Sequence, residues 1–317
     1  MFTPNTFTRS LSAFNPVARS WTALPLRQHT ASLPSPPLPR PATRREQLSL
    51  VTWNIHATPL KRLERSQLIL DRILDSNSPD IVFLQEVATD VRQSVLDHAR
   101  VRARFFTSDA EDDSAFKNVP FATMTLLSNE RFTSSPFLAE GKEGGGGGRV
   151  SEMMKLHSVF RMTLPSRFGR DALCVNLHDP ATPGQVFRLV NVHLDSLDSY
   201  FRRAFEVHLL NGLLREGGCG GGVIAGDFNA IDPLDLTLVE KHGLDDAWSK
   251  LRGETKGDDG ATWGVGVELE RGLKPGRLDK VVVLGLEPVD IEVLRPGRVD
   301  GGMRWSDHCG LRCTFRV

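Results

Sequence analysis

Tyrosine is almost missing from this chain and cysteine is scarce: Tyr200 is the single tyrosine and four cysteines are spread over 317 residues. Cys174, Cys219, Cys309 and Cys313 have no tight paired spacing, which argues against a disulfide framework or a structural zinc site and fits a reducing compartment. No apolar run approaches the roughly 18 residues of a membrane span, so no integral membrane segment is expected. Net charge is absent too, with 39 basic and 39 acidic side chains. That balance is uneven along the chain. Residues 1–45 carry six arginines (Arg9, Arg19, Arg27, Arg40, Arg44, Arg45) and no Asp, Glu or Lys, which leaves the rest at 33 basic and 39 acidic, net −6. An acid-free, Arg-, Ser- and Thr-containing start is the composition of a mitochondrial transit peptide, and the Pro-rich Ser32 to Pro41 cannot be one helix. The reading is therefore a basic disordered tail or transit peptide over 1–45 and one folded domain over 46–317. An acidic body argues against a long nonspecific duplex-binding face, which needs clustered Lys and Arg. It leaves room for a metal centre built from carboxylates.

At 40% hydrophobic and 25% charged residues the body is globular in composition. Short apolar runs at 48–53, 81–84, 121–127, 172–177, 187–194, 222–225, 280–284 and 309–315 predict strands. Apolar residues at three-and-four spacing predict helices over Leu60 to Leu74, Val87 to Leu96 and Phe201 to Leu213. Many strands, few long helices and no regular βαβ alternation favour an α/β fold of packed mixed or antiparallel sheets with helices on the outer faces. The glycine runs near 141–149 and 217–222 lack the Lys-Ser/Thr of a P-loop and the spacing of a dinucleotide fingerprint. They read as flexible insertions.

The informative residues are polar and sit at strand ends. Asn54 follows LSLVTW, Gln85 and Glu86 follow IVFL, His193 closes VFRLVNVHL, and Asp227 and Asn229 follow VIAG. Asp279 precedes KVVVL, and Asp307 and His308 precede CGLRCTF. In antiparallel neighbours the carboxyl end of one strand and the amino end of the next share an edge, so all of these can converge on one rim. Carboxylates, amides and imidazoles without a Ser-His or Cys-His signature suit a hard divalent cation and phosphate chemistry. Each residue alone has an ordinary structural reading as a cap, a turn or a core histidine.

Taken in order, Thr52-Trp53-Asn54, Leu84-Gln85-Glu86, His193-Leu194-Asp195-Ser196, Gly226-Asp227-Phe228-Asn229, Leu278-Asp279-Lys280 and Ser306-Asp307-His308 resemble the TWN, LQE, HLES, GDxN, FDR and SDH motifs of the endonuclease/exonuclease/phosphatase superfamily. Within it the resemblance is closest to the 5′-tyrosyl-DNA phosphodiesterases. It implies a four-layer α/β sandwich, two packed mixed sheets flanked by helices, and Mg²⁺-dependent phosphodiester hydrolysis with Mn²⁺ as a substitute. Carried over, Glu86, Asn54 and Asp307 would hold the metal or its waters. Asp227 would be the general base, steadied by Asn229, while His308, fixed by Asp279, and His193 would contact the phosphate. Arg203 and Trp263 would be substrate-binding residues. The implied partners are nucleic-acid ends or DNA-protein adducts, the implied activity DNA repair in nucleus or mitochondrion, and a monomer is favoured. The departures bear on substrate. His56-Ala57 stands where the family has Asp-Gly, Ile231 where it has Arg, Cys309 where it has Trp, and Phe121 near its Tyr. RNA ends, phospholipids or small phosphoesters are therefore the alternative substrates, and an inactive binding module is the alternative of another class.

Overall fold

The computed structural model describes residues 2–26, 47–75, 78–134, 153–179, 182, 184–253, 258–300 and 302–317. Two sheets of eight strands each pack face to face. The first runs, neighbour to neighbour, through Thr6–Arg9, Met154–Thr163, Asp171–His178, Val186–His193, Cys219–Asp227, Asp279–Leu284 and Asp245–Asp246, with Phe132–Thr133 beside Met154–Thr163. The second runs through Glu287–Leu294, Gly310–Arg316, Gln47–Asn54, Ile81–Val87, Ala122–Ser128, Phe105–Ser108, Leu11–Asn15 and Ser20–Ala23. Both are mixed: Val186–His193 is parallel to Cys219–Asp227, and Gln47–Asn54 to Ile81–Val87, while their other partners are antiparallel.

Strand alternation sorts the core into layers. Leu48, Leu50, Ile81 and Phe83 meet Leu173, Val175, Leu189, Val223 and Val281 between the sheets. The intervening Val51, Trp53, Val82 and Leu84 point the other way, against Ile69, Ile73, Val91 and Val95 of helices Arg62–Asp75 and Thr89–Asp97. Cys174, Val190, Val192 and Ile224 likewise meet Val207, Leu210 and Leu214 of helix Tyr200–Leu214. Helix, sheet, sheet, helix is the four-layer sandwich expected. Strands buried on both faces read as continuous apolar runs, which is why these were the ones visible in the sequence. No helix among the described residues is long and apolar enough to cross a membrane, and all four cysteines are free thiols.

Two expectations need correction. Residues 6–23 are not a disordered tail. Thr6–Arg9 pairs with the edge strand Met154–Thr163 of the first sheet, and two residues later Leu11 and Ser12 pair with Ser108 and Thr107 at the edge of the second. Leu11 is fully buried in the inter-sheet core. Arginine with Thr, Ser and Phe is no obstacle to an edge strand: Arg9 faces Asp112 at 3.5 Å and Arg102 lies over Phe14. The Pro-rich 32–41 lies outside the described residues.

The second correction concerns 217–222, where Gly217 and Gly218 form the turn that leads into strand Cys219–Asp227 and Gly220, Gly221 and Gly222 belong to the strand itself. A Cβ on Gly222 would sit 2.1 Å from the Arg188 carbonyl oxygen, and one on Gly226 1.9 Å from that of Val192. Glycine is what lets this strand lie against Val186–His193 and deliver Asp227. The other run, near 141–149, lies outside the described residues.

Deleting residues 1–26 would leave two sheet edges unpaired and empty the Leu11 site. The truncated chain should melt lower by about 5 °C or more and self-associate, as followed by calorimetry and light scattering. A monomer of unchanged melting temperature would contradict this.

Candidate active site

The polar residues gather at one rim, at the ends of strands from both sheets. Asn54 ends Gln47–Asn54 and its Nδ2 donates to Asp227 Oδ2 at 2.9 Å and Glu86 Oε1 at 3.2 Å, bridging the sheets. Its Oδ1 accepts from the His56 amide at 3.0 Å. In this orientation Asn54 holds two carboxylates together and offers no oxygen between them, unlike the ligand role expected for it. Glu86 takes a left-handed φ of 56° beside an irregularity in strand pairing, with His56 at 59° and Asn229 at 48°. Strained backbone in non-glycine residues concentrates at such sites. Ala57 N donates to Glu86 Oε2 at 2.8 Å, and His56, at the position where the resembling enzymes carry an Asp, turns its ring to Asp307.

Asp227 is buried, and Asn229 steadies it through its backbone N–H, 2.8 Å from Oδ1, while the Asn229 side chain ties down the Leu194 carbonyl at 2.9 Å. Burial pushes Asp227 up to about 7; the His308 charge opposes this and the Asp279 charge adds to it. His308 Nδ1 bonds Asp279 Oδ2 at 2.8 Å, and its Nε2 lies 3.7 Å from Asp227 Oδ2. Burial works against the charged imidazole, but Asp279 and Asp227 outweigh it and hold His308 well above its ordinary value. His193 Nε2 lies 3.4 Å from the same Asp227 oxygen, and the ring is driven well below its ordinary value by burial and by the charges of Arg170 and His308. The site thus sets an imidazole biased toward its charged form and one biased toward its neutral form beside the same carboxylate oxygen.

Asp307 is half-buried, accepts from Trp263 Nε1 at 3.2 Å and has His56 Nδ1 at 3.2 Å from its other oxygen. Trp263, expected to bind substrate, therefore acts first on Asp307. Ligand atoms of Asp227, Asp279 and His308 lie within 4.8 Å of one another. That cluster is better read as an acid-base set, because Asp279 and Asp227 favour the protonated form of His308, which has no lone pair to offer a cation. Glu86 and Asp307, half-buried and oxygen-only, have the donor chemistry of a hard cation site that water and phosphate complete.

Arg203 departs from expectation. It is 1% exposed and spends its guanidinium on Asp235, at 2.7 and 3.1 Å, and on the carbonyls of Asp195 and Leu197. It braces two loops and has nothing left for a substrate. Arg170, which the strand and helix patterns passed over, stands closer to the chemistry. Its guanidinium lies 4.7 Å over Phe121 and 5.5 Å from Phe168, and Phe121 stacks on His193 at 5.7 Å. Its Nε is buried with no hydrogen-bond partner among the described residues, in the field of Glu86, Asp227, Asp195 and Glu206. The Phe168-Gly169-Arg170 turn, with Gly169 at φ 66°, was the available signal. Arg65, also missed, donates to the carbonyls of Leu60, Ile55, Trp305, His56 and Thr58 and so fixes the loop beside Glu86. An arginine at i−4 from Ile69 on a buried helix face marked it.

The chain belongs to the Endonuclease/Exonuclease/phosphatase family, whose pattern it matches over residues 51–308. Members of this family are hydrolases of phosphoesters, and they usually use a divalent metal. Among solved structures it is similar to tyrosyl-DNA phosphodiesterase 2 of Danio rerio, complexed with a single-strand DNA product. The TM-score is 0.65 at 20% identity, covering 86% of this chain and 99% of that one. The truncated tyrosyl-DNA phosphodiesterase 2 of Caenorhabditis elegans gives 0.64 at 17% identity, with 86% and 99% covered. The human Nocturnin catalytic domain with bound sulfate gives 0.57 at 22%, with 86% and 94% covered. At these identities the likeness is one of fold. No curated protein sequence matches the chain.

Arg203→Ala should leave Asp235 buried without its partner and cost about 3–5 kcal/mol of stability by chemical denaturation, with KM unchanged in the folded fraction. A raised KM at unchanged stability would restore it to substrate binding. Burial also pushes Glu206, on helix Tyr200–Leu214, up to about 7. The folded chain then holds a proton that the unfolded chain releases, so stability falls as pH rises from about 4.5 to about 7 and levels off above. Glu206→Gln should remove on the order of 3 kcal/mol of that fall in denaturation curves at pH 5 and pH 8; parallel curves for both proteins would refute the assignment.

Proposed function

We propose that the chain is a Mg²⁺-dependent phosphodiesterase of nucleic-acid ends, of the 5′-tyrosyl-DNA phosphodiesterase type, with Mn²⁺ as a substitute metal. The observation that carries this reading is Asp227: a buried carboxylate held by the Asn54 and Asn229 amides, with His308 and His193 both set against its Oδ2 and biased to opposite protonation states. Phosphoryl transfer asks a protein chiefly for positioning and for charge stabilisation, and this arrangement supplies both.

Glu86 and Asp307 would hold the cation, which when bound supplies Lewis-acid neutralisation of the phosphate. Asp227 takes a proton from water as the water oxygen bonds to phosphorus. The bond from phosphorus to the leaving oxygen breaks, and that oxygen departs with the electron pair and takes a proton from solvent water. His308, kept cationic by Asp279, donates a hydrogen bond to a non-bridging oxygen as charge grows there. Arg170, held over Phe121, offers a second cation to the same phosphate. For a 5′-tyrosyl end the products are a 5′-phosphate and tyrosine.

A second reading keeps the chemistry and changes the substrate to an RNA end, a phospholipid or a small phosphoester. Ile231 favours it, standing 49% exposed two residues after Asn229, where the resembling enzymes carry an Arg.

The full chain with Mg²⁺ should release a 5′-phosphate end from single-stranded DNA bearing 5′-phosphotyrosine, and Asp227→Asn should lower that rate by roughly 10²- to 10³-fold with the fold intact by circular dichroism. Cleavage of p-nitrophenyl thymidine 5′-phosphate alone would move the assignment to the second reading. Full activity in Asp227→Asn would sink the mechanism.

A further inference from the structure

Asp195 and Glu206 are fully buried carboxyl groups that the chemistry above does not use. Asp195 lies two residues beyond His193, just past the end of its strand. Its Oδ1 accepts from the Ser166 hydroxyl and from the Arg167 amide, the latter at 3.0 Å. Both donors belong to the turn that joins Met154–Thr163 to Asp171–His178, the same turn that presents Phe168 and Arg170. The Ser166 hydroxyl oxygen in turn accepts from Phe168 N at 2.9 Å. From the other side, Glu206 Oε2 accepts the Asp195 N–H at 3.0 Å. Arg203 adds a hydrogen bond to the Asp195 carbonyl at 3.2 Å.

We propose that Asp195, locked by Glu206, is a positioning residue that pins the 164–170 turn to the end of the His193 strand and so sets Arg170 against the substrate phosphate. This rests on the phosphodiesterase reading above. The contacts form a closed circuit: Glu206 to Asp195, Asp195 to the turn, Arg170 over Phe121, Phe121 on His193, and back along the strand to Asp195. An arginine without a carboxylate partner keeps its place only if its backbone and the rings beneath it are held. Asp195 supplies the hold on the backbone. One oxygen of each acid, Asp195 Oδ2 and Glu206 Oε1, has no hydrogen-bond partner among the described residues. With Glu206 pushed up to about 7 by burial, the pair need not carry two charges at neutral pH. The charged groups that face it are Arg170 from the turn and Arg202 and Arg203 from the helix, with Arg202 Nε 3.9 Å from Asp195 Oδ2. A negatively charged pair beside Arg170 would compete with the substrate for it, so holding one proton here protects the free cation.

Asp195→Ala, Asp195→Asn, Ser166→Ala and Arg170→Ala in the full chain test this by two readouts. Hydrogen exchange of 164–170 should quicken at least tenfold in Asp195→Ala and be restored in Asp195→Asn, which keeps an acceptor oxygen. KM for the 5′-phosphotyrosyl oligonucleotide should rise about tenfold in Asp195→Ala with kcat within about threefold, the sign of lost binding. In a double-mutant cycle Asp195→Ala should add nothing to Arg170→Ala, because one acts through the other. Should Asp195→Ala not fold, Ser166→Ala, a half-buried change, should raise KM and exchange in the same direction by a few-fold. Unchanged exchange in the turn, or fully additive losses, would overturn the proposal. A wild-type chain that cleaves no phosphodiester would count against the function alone, and the exchange arm would still decide whether Asp195 holds the turn.

Discussion

Everything at the active rim depends on a short polar seam between the two sheets. Asn54, at the end of a strand of one sheet, bonds Asp227 at the end of a strand of the other at 2.9 Å. One layer deeper, Gln85 bonds Asn191 at 2.8 Å, and Asn191 reaches back to the Met124 carbonyl at 2.9 Å. Between apolar sheet faces an unpaired amide would cost about 1–3 kcal/mol, so each of these groups has one satisfied position and the sheets have one register. An all-apolar interface could slide by a fraction of a residue. This one cannot without breaking the bonds by which Asn54 holds Glu86 and Asp227 close to each other.

Crowding carboxylates at that seam creates the electrostatic character of the site. Asp227, Asp279, Asp307 and Glu86 share a small volume, and the protein answers with His308 made cationic, with Arg65 spent on carbonyls beside the loop, and with Arg170 laid over rings. Among the described residues at this rim, Arg170 is the arginine committed neither to a carboxylate nor to a carbonyl. That imbalance, acids and one cation facing the same opening, is what a divalent ion and a phosphate would complete. The backbone contributes as well, since three non-glycine residues at the rim hold left-handed φ values that the surrounding bonds must enforce.

Much of this was readable before any coordinates. Strands buried on both faces appear as unbroken apolar runs, and the polar residues that end them are conspicuous for being where apolar residues should continue. Asp227, His308, Asp279 and Glu86 were found that way, and the structure brings them together. Arg203 was misjudged because an arginine on a helix face looks the same whether it meets solvent, substrate or a buried Asp235 thirty-two residues away. Asn54 was placed correctly but not oriented, since the direction of an amide is set by its partners. Residues 6–23 read as a tail in sequence because edge strands need no apolar run: the partners of Thr6–Arg9 and of Leu11 and Ser12, over 90 residues distant in sequence, supply the ladder, and Ser20–Ala23 then folds back on Leu11–Asn15.

By itself, then, the sequence determined the layers and the chemical inventory, because strand period, apolar runs and the identity of the residues at their ends are local properties of the chain. The tertiary structure alone decided which charges meet. Whether an arginine is a brace or a free cation, whether an imidazole is charged, and whether an N-terminal stretch is a tail or a strap across two sheet edges are set by distances and burial between residues far apart in the chain. Coulomb and desolvation energies depend on those distances and not on spacing in sequence.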